Sequence, residues 1–96
     1  MNIEMQLQSK LIAAVKELYG QDINEGQAQV QITRKDLTGD FTIVVFPLLK
    51  ISKKSAEETG SDIGEHIKRN DPTVVNFNVV KGFLNIELAA NYWLSL

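Results

Sequence analysis

The chain has no cysteine and a single histidine among its 96 residues, which excludes a disulfide framework, a structural zinc site and a cysteine nucleophile. It has no apolar run near the roughly 20 residues that a helix needs to span a bilayer. Its first residues, Met-Asn-Ile-Glu-Met-Gln, lack the basic and apolar zones of a secretion signal. The expectation is a soluble, cytoplasmic protein. A surplus of positive charge is missing too. Ten Lys and Arg against twelve Asp and Glu give a formal net charge of −2, which argues against a general, phosphate-driven nucleic-acid binder but leaves room for a local basic patch. The sequence carries no P-loop, no Gly-x-Gly-x-x-Gly after a strand and no metal-ligand motif. His66 stands in no motif with a serine, carboxylate or second histidine, so it reads as an ordinary, partly exposed helix residue.

A chain of 96 residues is long enough for one domain with one core. It closes on Tyr-Trp-Leu-Ser-Leu without the polar residues that usually solvate a free terminus, so residues 1–96 read as a single domain excised from a longer polypeptide. From residue 2 to about 19, Ile3, Leu7, Leu11, Ala14 and Leu18 fall at steps of three and four and predict an amphipathic helix, with Asn2 as N-cap and Gly20 as its stop. Residues 28–33 alternate and predict a half-buried strand with Val30 and Ile32 inward. Residues 41–46 predict a second, more apolar strand nearer the sheet centre, ended by Pro47, which has no amide hydrogen to donate. Ser55-Ala-Glu-Glu58 is a capping box for a helix to about Arg69, which places Ala56, Thr59, Gly60, Ile63, Gly64 and Ile67 on one face. Two glycines four apart on a buried face imply a close approach to the sheet.

Residues 75–88, Val-Asn-Phe-Asn-Val-Val-Lys-Gly-Phe-Leu-Asn-Ile-Glu-Leu, alternate, break at Lys81-Gly82 and resume. They predict a hairpin with a two-residue turn, in which Val79 pairs with Leu84 and Val80 with Phe83. One face then carries Val75, Phe77, Val79, Leu84, Ile86 and Leu88, and is core. The other carries Asn76, Asn78, Val80, Phe83, Asn85 and Glu87. A phenylalanine among amides suits stacking on an unpaired base and reading its edge. Equally, Phe83 and Val80 can form a cross-strand apolar pair under a loop or helix, and on the hairpin alone this packing reading is favoured. The whole is an α+β domain, a four-stranded, mainly antiparallel sheet with two principal helices packed on one face.

Lys-Ile-Ser-Lys-Lys-Ser at 50–55 is similar to the Lys-Met-Ser-Lys-Ser loop of class I aminoacyl-tRNA synthetases. That loop works on a parallel dinucleotide-type fold with a His-Ile-Gly-His partner, neither of which this chain contains, so the similarity is a coincidence. A solvated lysine run and a phosphate-contacting patch are equally good readings of Lys50, Lys53 and Lys54.

Taken in order, the segments resemble the amino-terminal additional domain of arginyl-tRNA synthetases. The likeness rests on Thr38-Gly39-Asp40-Phe41, Lys53-Lys54-Ser55 ahead of the second helix, the 79–88 hairpin with its Gly-Phe-Leu-Asn-Ile-Glu strand, and Tyr92-Trp93-Leu94. In that family the domain contacts the D-loop at the elbow of the tRNA, and an Asn-x-x-Phe-x-[Gln/Asn] pattern meets an unpaired base. The resemblance implies that Phe83 stacks on the base and Asn85 bonds its edge. Val80 stands where the pattern has its leading Asn, with Asn78 as the substitute, and Val44 stands where some members carry another Asn. It also implies that Lys53, Lys54 and Lys81 neutralise phosphates and that the partners are the tRNA(Arg) D-loop and a catalytic domain of the same polypeptide, with neither DNA nor membrane. The domain itself would need no cofactor and perform no catalysis. ATP and magnesium would serve the ligase, an enzyme of protein biosynthesis. A protein-interaction module using Phe83, Tyr92 and Trp93 as an apolar patch is the alternative.

Overall fold

The first apolar stripe folds into α1, Ile3–Tyr19, in a computed structural model that describes residues 3–33 and 39–89. The helix buries Ile3, Leu7, Leu11, Ala14 and Val15 and ends where the Gly20 N–H donates to the Lys16 carbonyl at 2.9 Å. The expected N-cap, Asn2, lies outside the described residues. Two short strands follow, β1 (Val30–Ile32) and β2 (Phe41–Val44), then a 3-10 turn (Phe46–Leu48) and the single-turn α2 (Leu49–Ser52). Pro47 takes the first turn of the 3-10 segment, where a missing N–H costs nothing. The long helix α3, Ala56–Asn70, is capped by Ser55, whose hydroxyl oxygen accepts the Glu58 N–H at 3.1 Å. Glu58 reaches back to the Ser55 hydroxyl, at 3.3 Å. The hairpin is β3 (Val74–Val80) and β4 (Phe83–Leu88).

All three strand pairings are antiparallel, in the order β1-β2-β4-β3, and α1 and α3 pack on one face. The central strands, β2 and β4, are the most buried. Between the layers lie Leu11, Ala14, Val15, Ile43, Val45, Leu48, Ile63, Ile67, Leu84 and Ile86, all buried. The two glycines of α3 set its distance from β3. A Cβ on Gly60 would come within 2.9 Å of Val79 Cγ1, and one on Gly64 within 2.6 Å of the Phe77 ring.

One expectation about facing and one about burial fail. Val75 was expected in the core, but the β3 register shifts between Val74 and Asn76, so that Val74 pairs with Leu88 and is buried while Val75 is 47% exposed. A bulge of one residue reverses the facing of everything before it. Ile32 was expected inward. It does sit opposite Phe41, on the helix-bearing side. Yet it is 69% exposed, because β1 is the edge strand and the helices do not cover its far end.

Polar ties join the helices. Glu17 of α1 pairs with His66 of α3. The Tyr19 hydroxyl donates to Asp62 at 3.3 Å, and burial, reinforced by that carboxylate, pushes its pKa up to about 12. Lys10 of α1 pairs with Asp71, at the end of α3, which also accepts the Thr73 hydroxyl at 2.6 Å and the Thr73 N–H at 3.0 Å. Burial pushes the Asp71 pKa up, but the hydrogen bonds from Lys10 and Thr73 together outweigh it, and the carboxyl sits below its ordinary value. A depressed carboxyl stabilises the fold above its unfolded pKa and loses that stabilisation as pH falls through the folded one. The urea midpoint is therefore expected to drop as pH falls below about 4, and an Asp71→Asn variant to show a shallower drop over that range.

Candidate nucleic-acid interface

The hairpin turn has positive φ at both central residues, Lys81 at 50° and Gly82 at 84°, the type I′ geometry that matches the twist of two-residue hairpins. It fixes the register as the alternation predicted, Val80 against Phe83 and Val79 against Leu84. Because β2 also pairs with β4, Val44 stands opposite Phe83 and Thr42 opposite Asn85. The face away from the helices is thus organised in rows. An apolar row, Val80, Phe83 and Val44, runs across β3, β4 and β2 beside the turn. Next to it is a polar row, Asn78, Asn85 and Thr42. Two residues along an antiparallel strand separate the rows by about 7 Å, the width of a nucleobase.

The polar row is wired together. The Thr42 hydroxyl donates to the Asn85 carbonyl oxygen at 2.6 Å, and the Asn85 amide nitrogen donates to Asn78 Oδ1 at 3.0 Å. Since the one hydrogen of Thr42 is used, Thr33 is the donor in the 2.9 Å contact between the two threonine hydroxyls. Asn85, expected to face a base, is 0% exposed. Gly39 lies over it, close enough that a Cβ there would be 3.2 Å from Asn85 Cβ. Asp40 anchors that cover. Its N–H donates to the Ile86 carbonyl at 2.7 Å, and its carboxylate accepts the Leu88 N–H at 2.8 Å. Asn78 and Phe83 are half-buried.

One residue of this end escaped the sequence reading. Phe46 is 52% exposed and meets Phe83 edge to face, with ring centroids 6.1 Å apart and planes at 89°. Its ring lies over Gly82, where a Cβ would be 2.3 Å from Phe46 Cζ, so Gly82 is needed both for its φ and for this contact. The Val45 N–H donates to the Gly82 carbonyl at 3.0 Å and ties the two segments together. Alternation along residues 41–46 does place Thr42, Val44 and Phe46 on one side, but in so apolar a run that signal is faint.

The three expected phosphate contacts differ. Lys81 is exposed on the turn. Lys53, also exposed, caps α2 at φ 58°. Ser52 reaches Thr59 at 2.7 Å and Gly60 packs on Val79, so Lys53 and Lys54 lie toward the same end of the sheet, on its helix side. Lys54 is paired with Asp62 at 2.8 Å, and that hydrogen bond raises its pKa. Among the described residues Lys53 and Lys81 are the non-glycine residues with positive φ. The left-handed region costs such a residue roughly 1–2 kcal/mol and suits Gly or Asn better, so the backbone does not account for lysine at either place. Arg34, Lys35, Thr38, Tyr92 and Trp93 lie outside the described residues. Among the described residues no three His, Asp or Glu are grouped to hold a metal, and no helix is long and apolar enough to cross a membrane.

Helices on one side of the sheet and the aromatic and amide rows on the other define a small α+β domain of the type found in Thermus thermophilus arginyl-tRNA synthetase. That structure superposes with a TM-score of 0.79 over 98% of this chain and 15% of the synthetase, at 22% identity, a likeness of fold. The chain belongs to the family described as Arginyl tRNA synthetase N terminal domain, which matches residues 5–88. It is 50% identical over 96 residues to an arginine–tRNA ligase of Parabacteroides distasonis and 49% identical to one of Bacteroides fragilis. In both comparisons all of this chain is covered, and it spans 16% of the ligase.

Proposed function

We propose that this domain binds the D-loop at the elbow of tRNA(Arg) on behalf of an arginine–tRNA ligase, whose ATP- and magnesium-dependent chemistry belongs to a catalytic domain of the same polypeptide. The observation that carries this reading is the pairing of the apolar and polar rows at the turn end of the hairpin. A base laid on Phe83 extends its edge over Asn78. Asn85 then acts as a positioning residue, holding the Asn78 carbonyl through its own amide. Lys81 and Lys53 supply charge for flanking phosphates, and Lys54 adds least, because Asp62 offsets it. Lysine at two positions of positive φ fits a need for charge there.

The test is a titration of the isotopically labelled chain with tRNA(Arg). Backbone resonances of residues 76–87 are expected to shift in a saturable way, with an apparent affinity that falls steeply as salt rises. Salt-insensitive self-association through Phe46, Phe83 and Trp93, without a response to tRNA, would instead establish a protein-interaction surface.

A further inference from the structure

We propose that Phe46 is a second base-stacking residue, so that the site takes two unpaired bases turned away from each other rather than one. The inference rests on the D-loop reading above and deepens it. Phe46 and Phe83 stand at 89°, so a base stacked flat on Phe83 can offer Phe46 only its edge. The larger accessible aromatic surface at this end is nevertheless Phe46, 52% exposed, while Phe83 is half-buried. Stacking is worth most on an exposed, fixed ring, and Phe46 is fixed. It sits at the start of a 3-10 turn stiffened by Pro47 and closed by the Leu48 N–H on the Val45 carbonyl at 2.8 Å. Its ring rests on Gly82, which has no side chain to displace it. With Val80 also exposed, the patch continues the apolar row around the corner of the sheet. Lys81, exposed on the turn beside Gly82 and Phe83, would take the phosphate that joins two successive nucleotides. The ligand class is a dinucleotide step of single-stranded RNA with its bases unstacked and nearly perpendicular.

The experiment combines substitutions on both partners, using the 96-residue chain and a tRNA(Arg) D-arm hairpin at low salt. Phe46→Leu keeps an apolar group over Gly82 and is expected to weaken binding about 5- to 100-fold and to melt slightly lower, having lost the edge-to-face contact with Phe83, whereas Phe46→Tyr keeps the ring, stays within about twofold and melts with the parent. Abasic substitutions are then scanned along the loop. Two adjacent positions are expected to lose affinity, one losing nothing further in Phe83→Ala and the other nothing further in Phe46→Leu. This pairing reads the contact even if a variant is less stable. If Phe83→Ala weakens binding but Phe46→Leu does not, or if a single abasic position matters, the second stacking site is overturned and the D-loop reading stands. If the parent chain gives no saturable binding, or neither variant alters it, both fall.

Discussion

Replacing Phe83 by alanine in the full-length ligase proposed above is expected to raise KM for tRNA about 5- to 150-fold, the equivalent of roughly 1–3 kcal/mol of stacking. The rate of arginine activation by ATP, measured without turnover of tRNA, is expected to stay unchanged. The split matters because Phe83 also has a structural contact, its edge-to-face meeting with Phe46. Loss of that contact alone would lower the melting temperature without touching KM for a ligase that stays folded. Phe83→Tyr keeps the ring and should keep KM. A ligase with intact fold and unchanged charging after Phe83→Ala would show that the apolar row serves something other than RNA.

The other large effect lies in the core. Gly64→Ala would ordinarily favour a helix by about 1 kcal/mol, yet here it is expected to destabilise the domain. The new methyl would lie within 2.6–2.8 Å of three atoms of the Phe77 ring, and that ring lies against α3 and is packed on the core. Forcing a methyl into such a contact costs about 1–3 kcal/mol beyond what the propensity restores. For a domain of this size that corresponds to a melting temperature lower by roughly 5–20 °C. Phe77→Leu in the same chain opens the space, so the double variant should recover part of the loss. Gly60→Ala meets only the tips of Val79 and should cost less.

Periodicity made most of this fold readable. The stripe of α1, the capping residue of α3, the two-residue turn and the close glycine face are local or nearly local signals, and each corresponds to what the chain adopts. Failures occur where a neighbour decides. The β3 bulge shifts Val74 and Val75 by one place, and alternation in an apolar pair of valines looks the same in either register. Ile32 faces the right way, but no pattern along β1 says how far the helices extend over it. At the site, the outward direction of Phe83 and Asn85 was legible from alternation. The burial of Asn85 was not, because its cover comes from Gly39 and Asp40, far away in sequence. Phe46 was hidden for the opposite reason. Its exposure depends on the chain leaving the strand after Val44 and turning, which Pro47 signals only approximately.

The bond from the Val45 N–H to the Gly82 carbonyl has a thermodynamic consequence. It joins the segment bearing Phe46 to the turn bearing Lys81, and the polar row behind them is already bonded from Thr33 to Asn78. A surface preorganised in this way has little freedom left to lose on association, so the entropic cost of forming a complex falls almost wholly on the partner. For the RNA ligand proposed above, that would favour loops whose bases are already out of the stack in the free molecule, and a domain with net negative charge would then discriminate by the flexibility of its ligand as well as by its chemistry.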